Sequence, residues 1–313
     1  MATTSASKPQ PLLSRFRAIP EFVGQYKFEL LLITPLFLYV FGFTLIPVIR
    51  NVSLSFQEFH MGGGFPTLES YQELFGKYGF ADAVVNTVSI AAISVSFEML
   101  IGLGLALMLS QQFRGRGLFR AVVLLPLGIP VVVAATNMRY IFGSSGYLNE
   151  FLFDVSTVLV SLGILNETLP TLNFLQEPLA LLGVAISDMW KVTPLVMLIL
   201  LAGLEAIPRD LYEAADVDGA TIWQRFRLIT LPLLVPAITA AVIIRGIDAF
   251  RIFVHPLALG VSGQVPVVAT FAYNEYTNVH LTTSAAASSI LLLMIMIAVL
   301  VYLRIVGVRE VVG

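Results

Sequence analysis

The chain has 313 residues, 57% of them hydrophobic and 12% charged, with a formal net charge of −2. Soluble domains carry about twice that charged fraction, so the composition describes an all-α, polytopic membrane helical bundle, and the near-neutral balance offers no basic surface for nucleic acid. No cysteine is present, which excludes disulfides, thiolate nucleophiles and Cys-based metal sites. His60, His255 and His280 are too scattered to suggest a metal site.

The segment 1–27 is polar and basic, with Lys8, Arg15, Arg17 and Lys27, and Ser, Thr and Pro crowd its start, a composition that reads as disordered. Its apolar neighbour comes too late for a secretory signal, so this tail is expected to be retained. Span one is expected from Phe28 to Val48, long enough at ~1.5 Å per residue to cross a hydrocarbon core of ~30 Å. A polar stretch from Arg50 to Asp82 follows, with a loop at Gly62 to Pro66 and a short helix over TLESYQELFGK capped by Thr67. Span two is expected from Ala83 to Leu109, where Gly102 and Gly104 allow close helix packing. Span three runs from Ala121 to Phe142, interrupted by Pro126 and Pro130. The segment 143–178 reads as a half-buried hairpin or cap, too short and broken to favour a further span. Span four is expected from Leu179 to Leu204, span five from Leu233 to Val254 and span six from Ser284 to Leu303, with a loop over 255–283 and a short tail over 305–313.

The basic residues Lys8, Arg15, Arg17, Lys27, Arg114, Arg116, Arg120, Arg209, Arg225, Arg227, Arg304 and Arg309 fall on one set of connections; the other set holds Lys77 and little else, apart from Arg50 at a span end. The positive-inside rule therefore places both termini and the loop before span five in the cytoplasm.

That loop, LEAIPRDLYEAADVDGATIWQRFRLITLPLLVP, is the most structured polar stretch in the chain. Pro208 can open a helix, with Asp210 and Glu213 near its positive end. Asp218-Gly219 signals a turn, and Ile222, Phe226 and Ile229 repeat at helical spacing in a second short helix before Pro232 and Pro236 return the chain to the membrane. Read locally, an interfacial hairpin that simply links two spans accounts for the pattern equally well.

The residues Glu213-Ala214-Ala215, Asp218-Gly219-Ala220, Phe226, Ile229, Leu231-Pro232 and Pro236 resemble the EAA signature of binding-protein-dependent ABC importer permeases. The resemblance implies that segment 205–232, with Glu213, Ala214, Ala215, Asp218, Gly219, Ala220, Phe226 and Pro232, is the coupling region that rests on a cytoplasmic ATPase subunit. DMWKVTPLVMLILLAGLEAIPRDLYEAA and RGIDAFRIFVHPLAL resemble the corresponding stretches of carbohydrate importers, the second that of the maltose-type first permease. VSGQVP stands where that family often has a Gly-Gly-Pro turn, and the ending VREVVG, without a Gly-rich tail, favours the first permease of a pair. The implied partners are a second homologous permease, two ABC ATPase subunits, an extracytoplasmic solute-binding protein, membrane lipid and a sugar or oligosaccharide, in the cell (inner) membrane.

Glu98, Asp188, Lys191, Arg245, Asp248 and Arg251 fall within or at the ends of the expected spans, where a charge costs ~2.5–3.5 kcal/mol and must face protein or water. Asp188 and Lys191 are spaced to pair on one helix face, as are Arg245, Asp248 and Arg251. These charges read either as internal salt bridges that fix packing, the simpler account, or as a polar translocation path in which Trp190, Tyr273 and Tyr276 stack on a sugar ring. By resemblance, Asp188, Trp190, Lys191, Arg245 and Asp248 occupy substrate-contacting helices. No GK[ST] phosphate loop is present, so no cofactor is expected here, with ATP and Mg on partner subunits, and no enzyme site is found. A permease for glycerol phosphate, amino acids or polyamines, an ion-coupled secondary transporter using Glu98, Asp188 and Asp248, and a non-transporting scaffold are the alternatives.

Overall fold

The computed structural model describes residues 26–58 and 64–307. The expectations for the basic tail before Tyr26, for His60 and the Gly62-Gly63 turn, and for Arg309 and the final residues lie outside them. Two compact units divide the chain, Met1–Ser53 and Leu54–Gly313.

Helix α1 (Lys27–Val40) passes through a π turn (Phe41–Leu45) into α2 (Ile46–Ser55), all but the last two residues of which belong to the first unit. The continuous apolar stretch of 29 residues is longer than the expected 28–48 because Pro47 does not end it. Proline brings a ring that collides with the carbonyl four residues back and lacks an N–H; the widened turn just before it absorbs both.

In the second unit, α3 (Glu69–Gly76) is the expected short helix, and Thr67 Oγ1 accepts from the Glu69 N–H at 3.2 Å. Helix α4 (Phe80–Ser110) is span two, and Gly102 is where it meets span four: a Cβ there would lie 2.8 Å from Val196 Cγ1 and 3.2 Å from the Met197 nitrogen. Gly104 faces open space and plays no such part.

Span three is not a single straight helix. Helix α5 (Arg116–Gly128) runs through Pro126, and the chain breaks at Ile129-Pro130 before α6 (Val131–Phe142). The axes of 116–128 and of the stretch 131–161 lie 99° apart. The break strips the last carbonyls of α5 of their partners, and Lys191 Nζ donates to the Leu127 carbonyl at 2.9 Å.

Helix α7 (Tyr147–Ser161) fills part of the expected cap over 143–178 and, at ~22 Å by helix rise, is too short to cross a bilayer. Buried Asn149 staples it to the returning chain: its amide donates to the Gly143 and Leu172 carbonyls at 2.9 and 2.6 Å and its oxygen accepts from the Leu172 N–H at 2.7 Å.

Then come α8 (Ala180–Glu205), α9 (Arg209–Val217), α10 (Ile222–Arg225), a second π turn (Phe226–Thr230) and α11 (Leu231–Phe250). The expected loop over 255–283 contains two helices, α12 (Val254–Leu259) and α13 (Val268–Thr277), and α14 (Leu281–Val306) is span six. Among the described residues, five helical stretches are long and apolar enough to cross a membrane, or up to six if the broken pair counts as one.

Helices α4, α8 and α11 form the centre, with Leu109, Val196, Met197, Leu200 and Leu234 packed between them. The ends of α4 and α8 and the starts of α5 and α11 gather at one face. The opposite face collects Tyr78, Asp82, Asn86, Glu177 and the turn Ser262–Pro266 around a cavity of about 710 Å³. There Lys77 Nζ donates to Glu275 Oε2 at 2.6 Å, and His280 Nδ1 lies 2.9 Å from the same oxygen.

At the end of α13, the His280 N–H bonds the Glu275 carbonyl and the Val279 N–H bonds that of Tyr276, the pairing that requires a left-handed residue at Val279. Its φ is 65°, a conformation that disfavours a β-branched side chain. Val279→Gly is therefore expected to stabilise the protein by about 1 kcal/mol, read as a higher midpoint in thermal unfolding.

Candidate coupling surface and buried ion node

The chain enters the loop before span five through Pro208, which stands just before α9 with extended ψ of 134° rather than as its first helical residue. Helix α9 is closed by Gly219: the Ala220 N–H bonds the Ala215 carbonyl at 2.9 Å and the Gly219 N–H bonds that of Asp216 at 3.1 Å. This closure places Gly219 at φ +72°, in the region where glycine alone carries no Cβ penalty. Thr221 then opens the next helix with a reciprocal cap, its hydroxyl oxygen accepting from the Gln224 N–H at 3.3 Å while Gln224 Oε1 accepts from the Thr221 N–H at 2.7 Å.

The expected second short helix is not separate from span five. Helix α10, the π turn and α11 make one stretch from Ile222 to Phe250. Pro232 was expected to mark a boundary; the π turn immediately before it lets the helix pass. On the expected apolar stripe Phe226 and Ile229 are half-buried, whereas Ile222 is exposed.

Two contacts hold this hairpin together and a third ties it to α5. Asp216 pairs with Arg225 across the turn. Tyr212 Oη and Thr230 Oγ1 are 2.9 Å apart, and Arg116 Nη2 donates to Glu205 Oε1 at 3.1 Å. Between the hairpin and the ends of α4 and α8 lies a cavity of about 980 Å³. Glu213, Ala214, Asp218, Gly219 and Pro232 are exposed, Ala220 and Phe226 half-buried and Ala215 buried. The outward surface also carries Val217, 88% exposed, which motif reasoning overlooked, while the exposed Ile222 and Trp223 stand on the wall of that cavity. The Thr-x-x-Gln pattern at 221–224 was the available signal for the helix start, and a valine at the exposed end of an otherwise polar turn was the signal for the apolar tip.

In the middle of the unit the ionisable residues meet differently from their sequence spacing. Arg245 of α11 is 2% exposed and Glu98 of α4 fully buried. Arg245 Nε and Nη2 donate to the two oxygens of Glu98 at 2.6 and 2.8 Å, and Nη2 also to Asp188 Oδ2 of α8 at 2.9 Å. Asp248 stands 4.0 Å from Nη1 with its side chain half exposed. The expected Asp188–Lys191 pair does not form: Asp188 turns to Arg245, and Lys191 serves the carbonyl orphaned by the break at Pro130. Salt-bridge packing, the simpler of the two readings of these charges, describes Asp188 and Arg245. Trp190 and Asp248 keep accessible side chains, as does Tyr273, which packs edge-on against Phe253 with centroids 5.2 Å apart.

His255, on α12, is buried and its Nε2 has no protein partner. Burial holds its pKa below the ordinary imidazole value, with Asp188 pulling upward and Arg245 and Lys191 adding to the fall.

Residues 98–308 match the family described as the binding-protein-dependent transport system inner membrane component. The chain belongs to that family. The matched region opens on Glu98 and contains both the hairpin at 205–232 and every member of the ion node. The permease is 34% identical over 286 residues to the trehalose/maltose transport system permease protein MalF of Thermococcus litoralis, covering 89% of this chain and 93% of that protein. It is 32% identical to the trehalose transport system permease protein SugA of Mycobacterium tuberculosis, covering 80% and 79%, and 30% identical to the sulfoquinovosyl glycerol transport system permease protein SmoG of Agrobacterium fabrum, covering 92% and 93%. A crystal structure of a bacterial ABC transporter that imports the acidic polysaccharide alginate contains a chain of the same fold, with TM-score 0.76, 23% identity and coverage of 94% and 99%. The permease is a multi-pass membrane protein and a transport subunit.

Proposed function

We propose that the permease forms half of the translocation path of an ATP-driven importer for a sugar or oligosaccharide. It pairs with a second homologous permease, two ATPase subunits that bind ATP and Mg, and an extracytoplasmic binding protein that delivers the solute. It lies in the cell membrane with both termini in the cytoplasm. The observation that carries this reading is the hairpin of residues 205–232, a rigid, self-capped projection with an exposed apolar tip on the face favoured as cytoplasmic by the basic residues. The sugar transport of the related permeases supports the solute class.

When ATP closes the ATPase dimer, the hairpin moves with it, and the bundle turns from inward-open to outward-open. Solute released by the binding protein then enters a path whose accessible groups include the Trp190 and Tyr273 rings and the Asp248 carboxylate. Flat aromatic faces stack on pyranose rings and a carboxylate accepts hydrogen bonds from sugar hydroxyls.

The test is uptake by proteoliposomes holding both permeases and the ATPase subunits, with binding protein outside and labelled trehalose or maltose. Uptake that requires both ATP and binding protein is expected. Uptake by the chain alone, driven by an ion gradient, would overturn the reading.

A further inference from the structure

Helices α8 and α11 flank the coupling hairpin, one entering it at Glu205 and the other leaving it after Thr230. At their hairpin ends they touch through small residues: a Cβ on Gly203 would stand 2.5 Å from Ala237 Cβ. Further along, Gly102 brings α4 against Val196 of α8 at the near-contact described above. Deeper still, Arg245 holds α4 and α8 together through Glu98 and Asp188. By helix rise, Asp188 lies ~26 Å from Glu205, Arg245 ~22 Å from Thr230 and Glu98 ~18 Å from Ser110, so the node sits several helical turns from the hairpin. The same helices are thus fastened at separate points along their shared length.

A buried ion group of this kind is seldom kept for stability, because apolar side chains of similar volume do as well or better. Its particular product is a fixed geometry. Two carboxylates accept from one guanidinium nitrogen at 2.8 and 2.9 Å, so sliding α4 or α8 along α11 by a helical turn would leave a buried charge unpaired.

We infer that Arg245 is a positioning residue for transport: by gripping Glu98 and Asp188 it makes α4, α8 and α11 a single lever, which carries displacement of the hairpin several helical turns into the bundle. This rests on the importer reading above. Arg245 touches no solute in this role; it decides whether ATP-driven movement arrives where the path opens.

The test is the reconstituted importer with Glu98→Gln, Asp188→Asn and Arg245→Met combined, which leaves no unpaired buried charge. Uptake and ATP hydrolysis are measured separately. Assembly and binding-protein-stimulated hydrolysis by the partner subunits are expected to persist, while solute imported per ATP falls about tenfold, a coupling loss of ordinary size. A wild-type ratio would overturn the lever. Should the triple variant not assemble, Asp188→Asn decides, since Glu98 still satisfies Arg245 there: a reduced ratio supports the inference and an unchanged one rejects it. Failure of the importer reading would look different, because the unmodified assembly would then show no ATP-dependent uptake at all.

Discussion

Gly219→Pro is expected to abolish ATP-dependent uptake while the subunit still inserts and folds. Proline fixes φ near −65°, whereas residue 219 sits at +72°, and proline has no N–H to give the Asp216 carbonyl. The closure of α9 must therefore open, and with it the turn that sets Asp216 against Arg225 and starts α10 at the Thr221 cap. The damage is confined to the exposed projection, because the apolar packing between α4, α8 and α11 does not involve this turn. Glu213→Lys approaches the same surface without backbone strain: Glu213 is exposed, so reversing its charge leaves the fold alone and alters only what the hairpin offers a partner. Both variants are expected to reach the membrane at wild-type levels and to lose uptake. Normal transport by both would show that the hairpin carries no coupling.

Arg245→Ala is expected to be the most destabilising single change. It leaves Glu98 and Asp188 facing each other in the interior with no cation and no solvent, and breaking a buried pair in this way costs ~3–5 kcal/mol. The surviving half-exposed Asp248 adds to the repulsion, and Lys191 is committed to the Leu127 carbonyl. The check is thermal unfolding of the purified assembly, with Arg245→Ala sharply lowered and the combined Glu98→Gln, Asp188→Asn, Arg245→Met variant restored toward wild type. Equal stability of Arg245→Ala and wild type would mean that the carboxylates find other partners.

The parts of this structure that are local in sequence were legible in it. Apolar runs located the spans, and Asp218-Gly219 located the turn, because each depends on residues within one or two helical turns of one another. What depends on distant residues was not legible. Spacing alone offered Lys191 as the partner of Asp188, yet the cation that takes it is Arg245, and Arg245 finds Glu98 at a separation of 147 residues. Lys191 is drawn elsewhere by the break at Pro130, a feature of span three that no pattern in span four records. Pro232 was read as a boundary; it is instead preceded by a π turn that carries the helix past it, as the π turn before Pro47 does in span one. The 255–283 stretch read as a loop because its helices are short and cut by Gly and Pro signals, and only packing against the spans sustains them.

The central claim is that the projection at 205–232 lies in the cytoplasm and is covered by an ATPase. The chain contains no cysteine, so Val217→Cys, at a position 88% exposed, gives a single reporter for a membrane-impermeant maleimide in sealed vesicles of either orientation. Labelling is predicted only in inside-out vesicles, and it should be lost when the ATPase subunits are bound. Labelling from the outer face, or labelling that the ATPase subunits leave unchanged, would contradict the account.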